Sequence, residues 1–244
     1  MIARYLVPSA LAGCLAMSCV QASPLPAQSD AAPRVADKQA EPSLLDPAEF
    51  APDRTFAPPP PHHSPLEAIE LQQVKAVRAA ASPERLAQAE RDSETENPTA
   101  FDQAAGRDLA QLPATYALLT RIQRETNRVV NAGKDYFNRL RPYGVDPEMP
   151  HCGKGKSADR GYPSGHAGMG WSVGWALSRL MPDRAAAIVA RAQDYAISRE
   201  ICGAHFPSDL EASHGVAVMI ADRLLADPRL ADQVAAARRE LARP

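Results

Sequence analysis

The chain has 244 residues and a formal charge of −2, with 45% hydrophobic but only 5% aromatic residues. Near-neutral charge, with no long basic run and no basic residues interleaved with aromatics, removes the electrostatic footprint of a nucleic-acid partner. Any strong positive potential must be local to a site.

The first segment reads as an export leader. Arg4 supplies a basic start, Tyr5 to Val20 is mostly apolar, and Val20-Gln21-Ala22 offers a small-residue cleavage site, which predicts a signal peptide over 1–22 and a periplasmic mature protein. Leu11-Ala12-Gly13-Cys14 also fits a lipobox, so a lipid anchor at Cys14 stands as the alternative. A retained membrane span is a poor fit, because the stretch is short and interrupted by Pro8, and no other segment suits a bilayer.

Residues 23–61 are rich in proline and alanine and lack an apolar period. They predict a linker or disordered arm over 23–57 and a single folded domain over 58–244, with about 185 residues available for a core. The run Pro58-Pro59-Pro60-Pro61 is stiff polyproline II, a spacer or a strap.

Helical signals begin after Ser64. Pro65 suits a first turn, and Leu66, Ile69, Val74 and Val77 form an apolar stripe. Ser82-Pro83-Glu84-Arg85 marks a second start. The pattern resumes over Leu112 to Val130 and extends towards Leu140 until Arg141-Pro142 stops it. Residues 141–162 read as a long polar loop, a kind that tends to be functional. A glycine-rich helix over Ser164 to Leu180 follows, with Trp171 and Trp175 stacked one turn apart, then helices over Asp183–Arg199, Pro207–Leu225 and Pro228–Leu241. Strand signals are nearly absent, so the fold class is all-α.

Removal of the leader leaves Cys152 and Cys202, an even pair in an oxidising compartment, which predicts a disulfide closing a loop of about 50 residues. Two unpaired buried thiols are the alternative. Zinc is disfavoured because only His205 lies at finger spacing from Cys202.

Three blocks carry the chemistry. Lys134 and Arg141 lie seven apart and would share a face if the helix ran unbroken, so that two cations meet one anion. Ser164 and Gly165 precede the glycine-rich helix, where first-turn amides bind anions, and His166 is placed to protonate a leaving oxygen. Arg199 closes one helix, Gly203 turns the chain, and His205 stands at the corner with Asp209 in the next first turn. Asp209 can fix the imidazole tautomer so that the other nitrogen attacks phosphorus. Each block alone has a bland reading: a solvated helix face, an ordinary N-cap, a carboxylate complementing a helix dipole.

Together, Lys134-x6-Arg141-Pro142, Pro163-Ser164-Gly165-His166 and Ser198-Arg199-x5-His205-x3-Asp209 resemble the tripartite signature of the type 2 phosphatidic acid phosphatase and vanadium haloperoxidase superfamily. Within it, the run from Gly161 to His166, the Ile201-Cys202-Gly203 run, Cys152 and the proline strap resemble the class A bacterial nonspecific acid phosphatases. The likeness departs where Gly161 meets Tyr162 directly, where Ala167 follows His166, and at His214.

The resemblance implies a helical bundle in which His205 is the nucleophile of a phosphohistidine mechanism, Asp209 orients it and His166 is the acid. Lys134, Arg141, Ser164, Gly165 and Arg199 would hold the phosphoryl oxygens. It further implies a broad-specificity acid phosphatase acting on small phosphomonoesters, with phosphotransfer to other alcohols an attendant activity. Neither a cofactor nor a metal is expected, nor is a nucleic-acid partner or a membrane span, and a homo-oligomer is compatible with the sequence. A vanadate-dependent haloperoxidase, a membrane lipid phosphatase and a non-catalytic phosphate-binding protein are the competing readings.

Overall fold

The computed structural model describes residues 42–153 and 157–243. The signal peptide, the lipobox with Cys14 and the first part of the linker lie outside the described residues.

Among the described residues there are helices and turns and no strand. The principal helices are α1 (Pro65–Ala80), α2 (Pro83–Glu94), α3 (Pro113–Phe137), α4 (Gly165–Leu180), α5 (Ala185–Ile201), α6 (Pro207–Leu225) and α7 (Ala231–Leu241). Proline at the first helical position starts α1, α2, α3 and α6, where its missing N–H costs no hydrogen bond. Ser64, Ser82 and Ser164 cap α1, α2 and α4 by accepting from the backbone N–H three residues on.

Helix α4 is the central element, buried along almost its whole length and packed on α3, α5 and α6. Its glycines make this possible. A Cβ at Gly174 would lie 2.8 Å from both Ala192 Cβ and a Phe101 ring carbon, so α5 approaches at a distance that no larger residue permits. The surrounding core includes Phe101, Leu118, Ile122, Met169, Leu177, Ile188, Tyr195 and Ile220.

The structure departs from the sequence expectations in several places, each with a physical cause. The linker predicted through residue 57 ends earlier: Leu45, Phe50 and Phe56 are buried in the main core, and Pro52–Thr55 forms one helical turn. Apolar side chains spaced through a proline-rich stretch are enough to dock it without any helical period. The apolar stripe expected on α1 holds only in its second half: Val74 is buried and Val77 packs on a core cluster. Leu66 and Ile69 are exposed, whereas Glu67 and Glu70 face inward, because polar partners wait there. Glu67 accepts from His62 Nδ1 at 2.9 Å and His63 N at 2.8 Å, and Glu70 pairs with buried Arg139 at 2.6 Å.

Trp171 and Trp175 do not stack on each other. Trp171 stacks on His214 at 3.7 Å between ring centroids, and Trp175, half-buried, donates through Nε1 to Asp222 at 2.8 Å. Helix α3 stops at Phe137 rather than reaching Leu140, since Asn138 adopts φ +48° and its N–H closes on Lys134 O. Asparagine tolerates this left-handed cap, and Pro142 then holds Arg141 extended at φ −79°, ψ 163°. Lys134 and Arg141 therefore reach the site from separate segments.

The described residues of the region 141–162 are irregular apart from a single turn, Pro142–Val145. The region is anchored at both ends by backbone bonds, from Arg141 N to Ala158 O at 2.7 Å and from Gly161 N to Arg139 O at 2.8 Å. Between them, Cys152 is joined to Cys202 by a disulfide with Cα atoms 4.9 Å apart.

Candidate active site

Lys134, Arg141, Gly165, His166, Arg199 and His205 line one cavity of about 500 Å³, together with Glu96, Asn127, Asn131, Ser157 and Arg160. Residues from three distant stretches of chain thus share a single space.

His205 sits where α5 hands over to α6. Gly203 makes the corner at φ +66°, and a Cβ there would lie 2.6 Å from Pro150 O, so both the backbone conformation and the space require glycine. The imidazole is buried, with Nδ1 3.2 Å from Asp209 Oδ2 and Nε2 2.8 Å from Arg141 Nη1. Since a guanidinium can only donate, Nε2 carries the lone pair and Nδ1 the proton, which it donates to Asp209. Burial, and then Arg141, Lys134, Arg199 and His166, hold the His205 pKa well below its usual value, so the ring is neutral. The neutral imidazole keeps a lone pair on Nε2, which here is engaged by Arg141 Nη1, a neighbour on the cavity wall.

Asp209 lies in the first turn of α6, wholly buried. Its Oδ2 accepts the Phe206 N–H at 2.8 Å, capping α6, and its Oδ1 accepts from Arg139 Nη1 at 2.6 Å. Burial pushes its carboxyl up to about 6 against the opposing pull of Arg139.

Arg139 extends the chain of contacts. Nη2 meets Glu70 Oε2 at 2.6 Å, Nη1 also donates to Ser208 Oγ, and the guanidinium covers the Phe206 ring at 4.3 Å. Sequence reasoning missed Arg139 and Glu70. The available signal was slight: a second arginine in Arg139-Leu140-Arg141, and a glutamate one helical turn after Leu66 on α1.

The cations differ in how they are held. Arg141 is tied to carbonyls, with Nε donating to Ser157 O at 3.1 Å, Nη1 to Ala204 O at 3.0 Å and Nη2 to Arg160 O at 2.8 Å. Lys134 Nζ donates to Arg160 O at 3.0 Å and to Pro163 O. Burial, then Arg141, lowers its pKa to about 7. Arg199 is also buried, and its Nε and Nη1 have no protein partner. Orphaned guanidinium donors at a cavity wall call for an anion. Arg199 is positioned by its neighbour Ser198, whose hydroxyl donates to Asp92 Oδ2 at 2.5 Å and accepts from Arg85 Nη1 at 3.0 Å, fastening α5 to α2.

At the start of α4, Ser164 Oγ accepts from Ala167 N at 3.3 Å, a bond that does not use its hydroxyl proton. Ser164 is buried behind the wall, while Gly165 lines the cavity. His166 Nε2 faces Ser93 O at 3.1 Å, and its Nδ1 lies 3.6 Å from Glu96 Oε2. Among the described residues no cluster of histidine, cysteine and carboxylate side chains could hold a metal ion, and no helix is long and apolar enough to cross a membrane.

The described residues thus combine a helical fold, a cation-lined cavity and a buried neutral histidine bonded to an aspartate. A family model described as the PAP2 superfamily matches residues 112–227. The chain is similar to an acid phosphatase of Zymomonas mobilis subsp. mobilis, 38% identical over 65% of this chain and 63% of the relative. It is also similar to a non-specific acid phosphatase of Providencia stuartii, 31% identical over 59% of this chain and 60% of the relative. The chain thus spans somewhat under two thirds of the length of these relatives. Among solved structures, a transmembrane PAP2 type phosphatidylglycerolphosphate phosphatase from Bacillus subtilis aligns with a TM-score of 0.51 at 15% identity, over 67% of this chain and 86% of that one. At that identity the likeness shows a shared helical fold.

Proposed function

We propose that this protein is an exported acid phosphatase that hydrolyses phosphate monoesters of broad specificity through a phosphohistidine intermediate. The observation that carries this reading is His205, whose Nδ1 is held by Asp209 while its lone-pair nitrogen Nε2 accepts from Arg141, in a cavity lined also by Lys134 and Arg199. The names of the Zymomonas and Providencia relatives support the reaction class. The Cys152–Cys202 bridge supports an oxidising compartment.

In the first step Nε2 attacks phosphorus, the ester P–O bond breaks and His166 gives a proton to the departing alkoxide. The products are the free alcohol and phosphorylated His205. In the second step water attacks phosphorus, His166 takes its proton, the P–N bond breaks and phosphate leaves with His205 neutral again. Asp209 stabilises the positive charge that the imidazole acquires on attack. Arg199, Lys134 and the Gly165 amide stabilise the equatorial oxygens, so positioning and charge supply most of the rate. An alcohol in place of water would give phosphotransfer.

The test is turnover of p-nitrophenyl phosphate by the purified protein in the presence of a chelator, with vanadate as inhibitor. His205→Ala should lower kcat by roughly a thousandfold or more with folding intact, and alkaline quenching during turnover should trap labelled phosphohistidine. Robust turnover by His205→Ala would overturn the nucleophile, and loss of turnover to the chelator would overturn the metal-free scheme. Halide oxidation in place of ester cleavage would favour the haloperoxidase reading.

A further inference from the structure

Glu96 is a carboxylate in a cavity otherwise built for an anion. It stands in the turn between α2 and the Pro98–Phe101 helical turn, outside the three blocks, with its side chain about one third exposed. Its backbone carbonyl accepts from Gln123 Nε2 at 2.9 Å, which fixes the turn against α3.

The carboxylate leans over the start of α4. One oxygen is 3.6 Å from His166 Nδ1, and the other would be 3.4 Å from a Cβ built on Gly165. It therefore lies beside His166 at the start of α4. In an in-line displacement the leaving group departs opposite the nucleophile, and His166 is the proposed proton donor to it.

We propose that Glu96 is a specificity-determining residue that filters substrates by leaving-group charge, disfavouring phosphomonoesters whose alcohol portion is anionic and favouring neutral or cationic ones. This rests on the phosphatase reading and narrows its substrate class. The transferred phosphoryl group itself is balanced by Lys134, Arg141 and Arg199, but a second negative charge on the alcohol must pass the Glu96 carboxylate. At a separation of about 5 Å and an effective dielectric constant of about 20, that repulsion suffices for a selectivity of tenfold or more.

The experiment compares kcat/KM for glycerol phosphate, phosphoethanolamine and phosphoglycerate in the wild type, Glu96→Gln and Glu96→Asp. The wild type should prefer the first two. Glu96→Gln should raise the ratio of phosphoglycerate to glycerol phosphate about tenfold, while Glu96→Asp, which keeps the charge, should retain the wild-type order. An unchanged ratio in Glu96→Gln, or an equal fall for all three esters, would overturn the filter while leaving the phosphatase reading intact. Failure of the wild type to cleave any of the three, or p-nitrophenyl phosphate, would overturn both.

Discussion

Arg139 gives the most demanding test of the site's electrostatics. Asp209 is fully buried and Arg139 forms its salt bridge, at 2.6 Å with a side chain 4% exposed. Replacing the guanidinium in Arg139→Gln leaves a buried carboxylate without its counter-charge, a change that costs about 3–5 kcal/mol when the acid stays ionised. The cost depends on pH in a definite direction. The folded carboxyl of Asp209 is raised to about 6, above an unfolded value of about 4. Stability from this group is therefore complete below the unfolded value and declines as pH rises towards the folded one. Without Arg139 the folded value climbs further, and the decline continues to higher pH. Thermal unfolding of wild type and variant across pH should show a deficit near pH 8 of roughly 10 °C for a domain of this size. The deficit should be much smaller near pH 5, where the variant's carboxyl is protonated. The pH–rate profile should change in parallel, its acid limb moving upward as Asp209 ionises later. An equal loss of Tm at both ends of the pH range would refute the argument.

Other outcomes follow from the same structure. Cys152→Ser, or reduction of the bridge, should destabilise the fold by up to about 4 kcal/mol, since the two cysteines are 50 residues apart, measured by denaturant titration with and without reductant. Gly174→Leu should destabilise by about 1–3 kcal/mol or more, because Ala192 and Phe101 occupy the space its side chain needs; chemical denaturation reads it directly. Affinity for inorganic phosphate should weaken as pH rises past about 7, where Lys134 loses its proton, and Lys134→Met should flatten that dependence in a titration calorimeter. Phosphate binding should be accompanied by proton uptake near that pH in the wild type, because a bound anion favours the charged amine.

Much of this arrangement was legible in the sequence because it is written in local rules. Ser-Pro pairs announced the starts of α1 and α2, Gly170 and Gly174 announced a close helix crossing, and the spacing of His205 and Asp209 placed them one turn apart at a helix start. What was not legible depends on tertiary pairing. Leu66 and Ile69 follow a helical period but face solvent, while Glu70, one turn on from Leu66, meets a buried arginine that no periodicity reveals. The seven-residue spacing of Lys134 and Arg141 suggested one helix face. A single left-handed asparagine broke that geometry, yet both residues still line the same cavity. Glu96 carried no motif at all, and only the folding of its turn over α4 brings it to His166.

The segment that matches the family begins at residue 112, but several charges inside it are answered from outside. Glu70 on α1 meets Arg139, and Asp92 on α2 meets both Arg191 and Ser198. A fragment excised at residue 112 would keep the Arg139–Asp209 and Arg191–Asp194 pairs but lose the second carboxylate of each arginine, Glu70 and Asp92. The smallest autonomous unit of this chain must therefore reach back to α1, and any attempt to transplant the matched segment has to bring with it the two helices that carry Glu70 and Asp92.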